Sequence, residues 1–327
     1  MFRCSAVVVT YNSAQSIVPC LEALTREDCE IVVIDNASVD DTVQRVRPYA
    51  AAGRASLLLQ PRNLGFGPAA NAGASRANGR GRGDVVLILN PDAIAEPGSV
   101  AHLLHCLDET GAAAVGGSLL EADDKPQRGF AFRKLPTLAS LLCETLLINQ
   151  LWPANPVNRH YRCLDADYSH QQEVEQPAGA CLAIRREVWD GIGGFDERFY
   201  PVWFEDVDLC KRIRDRGMKI VYCPTARFRH SGSHSVGRLS FQQKQRFWYR
   251  NMLAYAEKHF APAQPFLLRM GILAGMVLRS GAALLGIRPV SLPEALRAYR
   301  QVIGIACSRP AVLRSGAIEG GHKISGN

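Results

Sequence analysis

No pair of cysteines in this chain is spaced C-x-x-C, and its ten cysteines (4, 20, 29, 106, 143, 163, 181, 210, 223 and 307) form no regular framework. With no secretory signal before the first apolar run, they read as reduced, mostly buried thiols, and the expectation is a cytoplasmic protein. No stretch of 18 uncharged apolar residues occurs, so no membrane span is expected. Internal repeats and low-complexity tracts are also missing, which excludes solenoids. Hydrophobic content of 47% with 21% charged residues excludes wholesale disorder, collagen and coiled coil. The last fifth of the chain has little negative charge. From Phe260 to Asn327 eight Lys/Arg face two Asp/Glu, so six of the net +7 lie there. Such a tail addresses nucleic acid, an anionic membrane surface, or nothing in particular. No nucleic-acid-binding motif accompanies it, so no nucleic-acid partner is expected.

The 327 residues that remain to be organised suit one large α/β domain or two small ones. Ala6–Thr10, Glu30–Ile34, Ser56–Leu59 and Val85–Leu89 are continuous apolar runs, as in parallel strands buried on both faces. Ser13–Leu24, Asp40–Ala51 and Pro68–Asn78 read as the helices between them, with Ser38-Val-Asp-Asp as an N-terminal capping signal. This alternation predicts a doubly wound, Rossmann-like sheet. Further on, Ser99–Glu109 reads as a helix, Ala113–Leu120 as a strand, and Glu121–Glu175 as irregular apart from a helix near Leu138–Gln150. Ala180–Ile184 and Ile220–Tyr222 read as strands, Val207–Arg216 and Ser240–His259 as helices.

Polar residues cluster where the strands end. Thr10-Tyr11-Asn12 and Asp35-Asn36-Ala37-Ser38 stand at the carboxyl ends of the first two, where open α/β sheets bind ligands. An Asp there suits the imino N–H of a pyrimidine, and Asn and Ser suit ribose or phosphate; turn chemistry alone also explains Ser38 and Asp40. Gly65-Phe-Gly-Pro-Ala-Ala70 matches a dinucleotide fingerprint but follows the third strand, not the first. A loop contributing Asn63, Asn71 and backbone N–H groups to a nucleotide fits better. Asn90-Pro91-Asp92 places a carboxylate at the sheet edge, either a simple turn or a ligand for Mg2+ or Mn2+ beside a diphosphate. Asp196, Glu197, Glu205, Asp206 and Asp208 put five carboxylates within thirteen residues, interleaved with aromatics. One of Glu205 and Asp206 is expected to face a water-poor cleft and serve as a base; the other reading is a solvated acidic helix start. Asp208 and Arg212 read as a helix-surface pair. His230 and His234 lie in a Gly/Ser loop, and spacing does not choose between them as metal ligands.

Taken in order, Val9-Thr10-Tyr11-Asn12, Val33-Ile34-Asp35-Asn36-Ala37-Ser38, Arg62-Asn63-Leu64-Gly65-Phe66, Leu89-Asn90-Pro91-Asp92 and Phe204-Glu205-Asp206-Val207-Asp208-Leu209 resemble the family 2 glycosyltransferases of the GT-A fold, particularly the rhamnosyltransferase-like branch. The resemblance spans roughly residues 4–260. It implies a catalytic domain over 1–260, with a nucleotide-binding half to about 98 and an acceptor half from 99, then a basic helical extension over 261–327. It also implies an inverting, metal-dependent transfer of a sugar, L-rhamnose from dTDP-L-rhamnose or a sugar from UDP or GDP, to a saccharide or lipid-linked saccharide. Thr10, Tyr11, Asn12, Asp35, Asn36, Ser38, Asn63, Gly65, Asn71 and Asn90 would serve the donor. Asp92 and His230 would hold Mg2+ or Mn2+. Asp206 matches the general base, with Glu205, Trp203, Gly179 and Ala180 on the acceptor side. A non-catalytic nucleotide-sugar-binding protein is the rival reading. The extension, through Phe266–Ile287 and its flanking arginines, is expected to contact the inner face of the cell membrane.

Overall fold

Strands made only of buried aliphatic residues require cover on both faces, and the chain supplies it with helices between strands. The computed structural model describes residues 3–76, 83–232, 237, 239–287 and 289–308. Its first part alternates β1 (Cys4–Thr10), α1 (Ile17–Leu24), β2 (Cys29–Asp35), α2 (Thr42–Ala51), β3 (Ser56–Leu59), α3 (Phe66–Arg76) and β4 (Val85–Leu89). All seven residues of β1 and all five of β4 are buried. β1 pairs in parallel with both β2 and β4, and β2 with β3, so the strand order reverses at β1. Adjacent loops diverge at such a reversal and leave a crevice at the strands' carboxyl ends.

The second part comprises β5 (Ala93–Ala95), α4 (Ser99–Thr110), β6 (Ala114–Leu120), β7 (Phe132–Arg133), α5 (Leu138–Thr145), α6 (Ile148–Leu151), α7 (Pro156–Tyr161), β8 (Gln172–Glu173), β9 (Gln176–Pro177), β10 (Cys181–Arg185), α8 (Arg186–Ile192), α9 (Glu205–Asp215) and β11 (Ile220–His230). Here β10 runs antiparallel between β4 and β6, and β11 lies parallel to β6. The nine-stranded sheet is thus purely parallel in its first half and mixed in its second. β11 is much longer than the expected Ile220–Tyr222. Its register shifts between Cys223 and Arg227, with Pro224 in the break, where a residue lacking an N–H costs no ladder bond. The strand then resumes and carries His230 to the sheet edge.

Three helices close the described chain: α10 (Phe241–His259), α11 (Gln264–Leu284) and α12 (Leu292–Cys307). They share an apolar core with Phe199, Phe204 and Val207, so the C-terminal helices pack directly on the segment leading into α9. By length and composition α11 is apolar enough to cross a membrane, although Arg269 and Arg279 interrupt its apolar run. Both arginines are tied into the fold. Arg269 donates to the Ala306 carbonyl at 2.7 Å and Arg279 to the Glu144 carbonyl at 3.2 Å.

Candidate active site

At the reversal point the strand ends are woven together by their own side chains. Thr10 Oγ1 donates to Asp35 Oδ1 at 3.1 Å, and Asp35 Oδ2 accepts from the Ser38 N–H at 2.9 Å. Ser38 is therefore no helix cap. Its hydroxyl accepts from the Asn12 N–H at 2.8 Å, and α2 starts later, where Asp40 Oδ1 accepts from the Thr42 N–H at 3.1 Å. Asn12 adopts φ 53° and accepts from the Val39 N–H at 2.8 Å. Asn36 donates to Asn63 Oδ1 at 2.9 Å and to the Gly65 carbonyl at 3.1 Å. Gly65 is required: its φ is +86°, and a Cβ there would meet the Tyr200 ring at 2.8 Å. A small pocket opens beside this weave, lined by Tyr11, Asn36, Asn63, Gly65, Phe66 and Pro201. Asn71 is engaged elsewhere, bracketing Phe195 by accepting from its N–H and donating to its carbonyl, each at 2.9 Å.

The acidic cluster separates into three environments. Trp203 and Phe204 both take positive φ, 75° and 72°, an unfavourable conformation for bulky residues. The fully buried Asn251 of α10 holds that turn, its amide donating to the carbonyls of Val202 at 2.9 Å and Trp203 at 3.2 Å. From this turn α9 begins with Glu205 and Asp206, which point apart. Asp206 Oδ2 accepts from the Gly179 N–H at 3.0 Å and Gln176 Nε2 at 3.3 Å, and Oδ1 from the Val207 N–H at 2.8 Å. A Cβ on Gly179 would lie 3.0 Å from that of Asp206, so only glycine lets the carboxylate come so close. Burial raises the Asp206 carboxyl, although the Gly179 and Val207 N–H groups and the Arg133 guanidinium oppose it. A raised carboxyl accepts a proton more readily, as a general base must. Glu205 is buried beside α3, its Cβ 4.0 Å from where one on Gly67 would lie. Burial and then Asp206 push it well above the usual carboxylate range.

Asp208 corrects the surface-pair expectation. Its side chain is 0% exposed and meets Arg212 Nε at 2.7 Å, Lys258 Nζ at 2.6 Å and His259 Nε2 at 2.7 Å. Burial alone would raise it, but His259, Arg212 and Lys258 overcome that and hold it at about 2. Arg212 carries on to the Ile192 and Gly194 carbonyls at 2.8 and 2.7 Å, so this node docks α9 against both α8 and α10.

Where β11 pairs with β5 stand Asp92 and His230, each 5% exposed, with His230 Nε2 3.6 Å from Asp92 Oδ1. Gln127, from the segment expected to be irregular, sets the imidazole. Its Nε2 donates to the His230 carbonyl at 2.7 Å, which leaves Oε1 facing Nδ1 at 3.0 Å. A carbonyl oxygen only accepts, so Nδ1 carries the proton in the neutral ring and Nε2 presents a lone pair toward Asp92. Phe130 stacks on the same imidazole at 5.4 Å and 7°. The pair fits a divalent cation, because two ligands each about 2.1 Å from one ion span 3.6 Å without strain. Among the described residues no third His, Cys, Asp or Glu joins them, which suits an ion that takes its remaining ligands from phosphate and water. His234 lies outside the described residues. Asn90 donates its N–H to the Ala180 carbonyl at 2.9 Å, joining the turn that bears Asp92 to the loop that bears Gly179. Sequence analysis named Asp92, His230, Gly179 and Asp206, but it missed Gln127, Phe130, Arg133, Gln176 and Asn251. Gln127, Phe130, Arg133 and Gln176 lie in or beside short, unpatterned segments, and Asn251 is a polar residue inside the long helix α10.

An open α/β sheet, parallel in its first half, mixed in its second and followed by helices, is the architecture of the GT-A class. A family model described as glycosyl transferase family 2 matches residues 5–176, and one described as the N-terminal domain of galactosyltransferase matches 159–234. The chain belongs to glycosyl transferase family 2 and is a glycosyltransferase. It is 32% identical over 246 residues to an N-acetylglucosaminyl-diphospho-decaprenol L-rhamnosyltransferase of Mycobacterium tuberculosis, covering 71% of this chain and 77% of the relative. It is 24% identical to rhamnosyltransferase WbbL of Escherichia coli, over 74% of this chain and 88% of that one. GalNAc-T7 solved with UDP, GalNAc and Mn2+ shares the fold at a TM-score of 0.60 and 16% identity, over 92% of this chain and 54% of that one. S. aureus TarS 1–349 in complex with UDP-GlcNAc does so at 0.54 and 18%, over 92% and 81%.

Proposed function

We propose that the protein moves L-rhamnose from dTDP-L-rhamnose onto a hydroxyl of a lipid-linked saccharide during assembly of cell-surface polysaccharide. One observation supports this above all: Asp206, raised by burial, is held by Gly179 in a loop that the Asn90 N–H ties to the turn bearing Asp92, which stands 3.6 Å from His230. The rhamnosyltransferases among its relatives supply the sugar, and the diphospho-decaprenol in one relative's name supplies the acceptor class.

In this reading Asp206 takes the proton of the acceptor hydroxyl as its oxygen attacks the anomeric carbon. The new carbon–oxygen bond forms on the face opposite the diphosphate, whose own bond to that carbon breaks, so the configuration inverts. Gly179 and Gln176 aim the carboxylate, and Glu205, Trp203 and Ala180 frame the acceptor. Thr10, Tyr11, Asn12, Asp35, Asn36, Ser38, Asn63, Gly65 and Asn90 surround the nucleotide, with Asp35 addressing the base and Asn71 steadying the loop behind it. Asp92 and His230 would hold Mg2+ or Mn2+, which when bound supplies positive charge against the leaving diphosphate. Residues 1–260 form the catalytic domain, divided near 98, and 261–327 an extension.

That extension rests on the cytoplasmic face of the membrane. Phe266, Leu267, Met270, Val277 and Leu278 of α11 are exposed, as are Arg297 and Arg300 of α12. Liposome flotation of a Val277→Glu, Leu278→Glu variant checks this, and undiminished flotation refutes it. Substitution is needed because truncation would strip the core shared with Phe204.

The function itself is tested by a donor screen with Mg2+ or Mn2+, reading thermal stabilisation and release of nucleoside diphosphate. dTDP-L-rhamnose should stabilise most and be turned over. A stronger response to a UDP- or GDP-sugar reassigns the donor, and release of pyrophosphate or reduction of a nicotinamide overturns the glycosyl-transfer reading.

A further inference from the structure

Among the described residues three arginines between β6 and β9 have no carboxylate within ion-pair distance, and one of them, Arg128, is spent on the Leu164 and Ala166 carbonyls at 3.2 and 3.3 Å, which leaves Arg133 and Arg162. Arg133 stands in register opposite Gln176, the residue whose amide reaches Asp206. Its Nε donates to the Gly129 carbonyl at 2.6 Å. Arg162 follows α7; its Cβ lies 3.2 Å from where a side chain on Gly129 would begin, and its Nε donates to Asn158 Oδ1 at 3.1 Å. Both side chains are thus anchored around Gly129 at the edge of the catalytic cleft. Their basic neighbours are neutralised, Lys134 by Glu175 at 3.1 Å and Arg159 by Asp165. Among the described residues no carboxylate lies within ion-pair distance of Arg133 or Arg162. Glu144 acts on Arg162 only from beyond that reach and is engaged by Asn149 at 3.0 Å. Burial, and after it the charge of Arg133, pushes the Arg162 guanidinium below its ordinary value.

Two guanidiniums brought to Gly129 with no carboxylate in ion-pair reach among the described residues, each bonded within the fold through its Nε, match the chemistry of a phosphate group. The surface beyond them is apolar. α7 packs on α5, and α5 packs on both α6 and α11. Leu151 and Trp152, at the end of α6, are 84% and 58% exposed, and the exposed face of α11 follows. Charge beside the catalytic base, followed by exposed apolar side chains, is the pattern of a lipid diphosphate.

We propose that Arg133 and Arg162 bind the diphosphate of a polyprenyl-diphosphate-linked acceptor and thereby hold its sugar hydroxyl at Asp206. The proposal rests on the acceptor class given under Proposed function. The other source of a diphosphate is the nucleotide, which the Asp92–His230 pair serves across Phe130.

The test is calorimetric binding of farnesyl diphosphate in EDTA, which removes any metal-mediated contribution. The wild-type chain should bind it. Arg133→Gln and Arg162→Gln should each weaken binding about tenfold or more, as loss of a charge-assisted contact implies. Arg133→Lys should recover most of the loss. Binding of nucleoside diphosphate with Mn2+ should be the same in all four proteins, and their thermal melts should coincide. No binding to the wild type, equal binding in the variants, or a parallel loss of nucleoside diphosphate binding overturns the site.

A transfer assay separates this from the functional reading. With a diphosphate-linked acceptor the Arg162→Gln variant should raise KM, while an octyl glycoside of the same sugar should be used as by wild type. If wild type glycosylates neither acceptor but farnesyl diphosphate binding still depends on the arginines, the enzymatic reading falls and the anion site stands. If transfer proceeds and the variant matches wild type on both acceptors, the site falls alone.

Discussion

The donor-side loops and the catalytic cleft, though adjacent, are built on opposite principles. Around Thr10, Asp35, Asn36 and Asn63 each polar side chain bonds another in the same loops, across neighbouring parallel strands. Thr10 and Asp35 are 25 residues apart and Asn36 and Asn63 are 27 apart. In the cleft the decisive contacts join remote segments, as with Gln127 and His230 at a separation of 103. The cleft also leaves chemistry unspent: among the described residues Glu205 Oε2 is buried with no hydrogen-bond partner, and Arg133 and Arg162 have no carboxylate within ion-pair distance. A satisfied weave makes a rigid frame, because each member fixes its neighbour. Unsatisfied groups cost stability and are kept where a substrate completes them.

The sharpest way to break this contrast is Asp206→Asn, which leaves the donor weave intact. Transfer should fall about 10²- to 10⁴-fold, the usual contribution of a positioned base. Binding of the nucleotide sugar by calorimetry should hold near wild type, and near-normal turnover would remove Asp206 from the base role. Next in size is Asp208→Asn, which strands Arg212, Lys258 and His259 around a neutral amide. The expected loss is about 3–5 kcal/mol in urea unfolding, typical of breaking a buried ion cluster.

The same residue gives a pH signature. Its folded value of about 2 lies below the ordinary aspartate value of 3.8. Its contribution is therefore fully present above the unfolded value and disappears as pH falls through roughly 4 to 2, amounting to about 2 kcal/mol. Wild type should lose stability across that window more steeply than Asp208→Asn; equal slopes would refute the assignment. The smallest effect is expected for Gln127→Leu. With the tautomer of His230 no longer fixed, Mn2+ affinity with nucleoside diphosphate should drop about 10- to 100-fold, as for other residues that orient a ligand. Imidazole ¹⁵N shifts should report loss of the Nδ1–H form, and an unchanged spectrum would contradict the orientation argument.

Much of the frame was legible because its information is local. A continuous run such as Val85–Leu89 declares a strand buried on both faces, and an Asp at the end of Cys29–Asp35 declares a polar strand end. The cleft was legible only where a short motif carries it: Asp92, Asp206 and His230 were named, whereas Gln127 and Arg133 were not. β7 and β9 have two residues each, too few to show any period. Asp208 was misread for the same reason. Its i,i+4 partner Arg212 is visible in the sequence, but the burial that turns the pair into an anchor comes from Lys258 and His259, some 50 residues away.

Sequence alone determined the parallel half of the sheet, the polar strand ends and the family motifs, because an apolar run or a five-residue motif records what each segment must bury or present. Tertiary structure alone decided which of two adjacent carboxylates faces Gly179, that Asn251 of α10 pins the strained Trp203–Phe204 turn, and that Arg133 and Arg162 are both brought to Gly129. The physical reason is that hydrophobic periodicity specifies a face and not its partner. Burial, hydrogen bonding and charge depend on the partner, so they are settled only when distant segments pack.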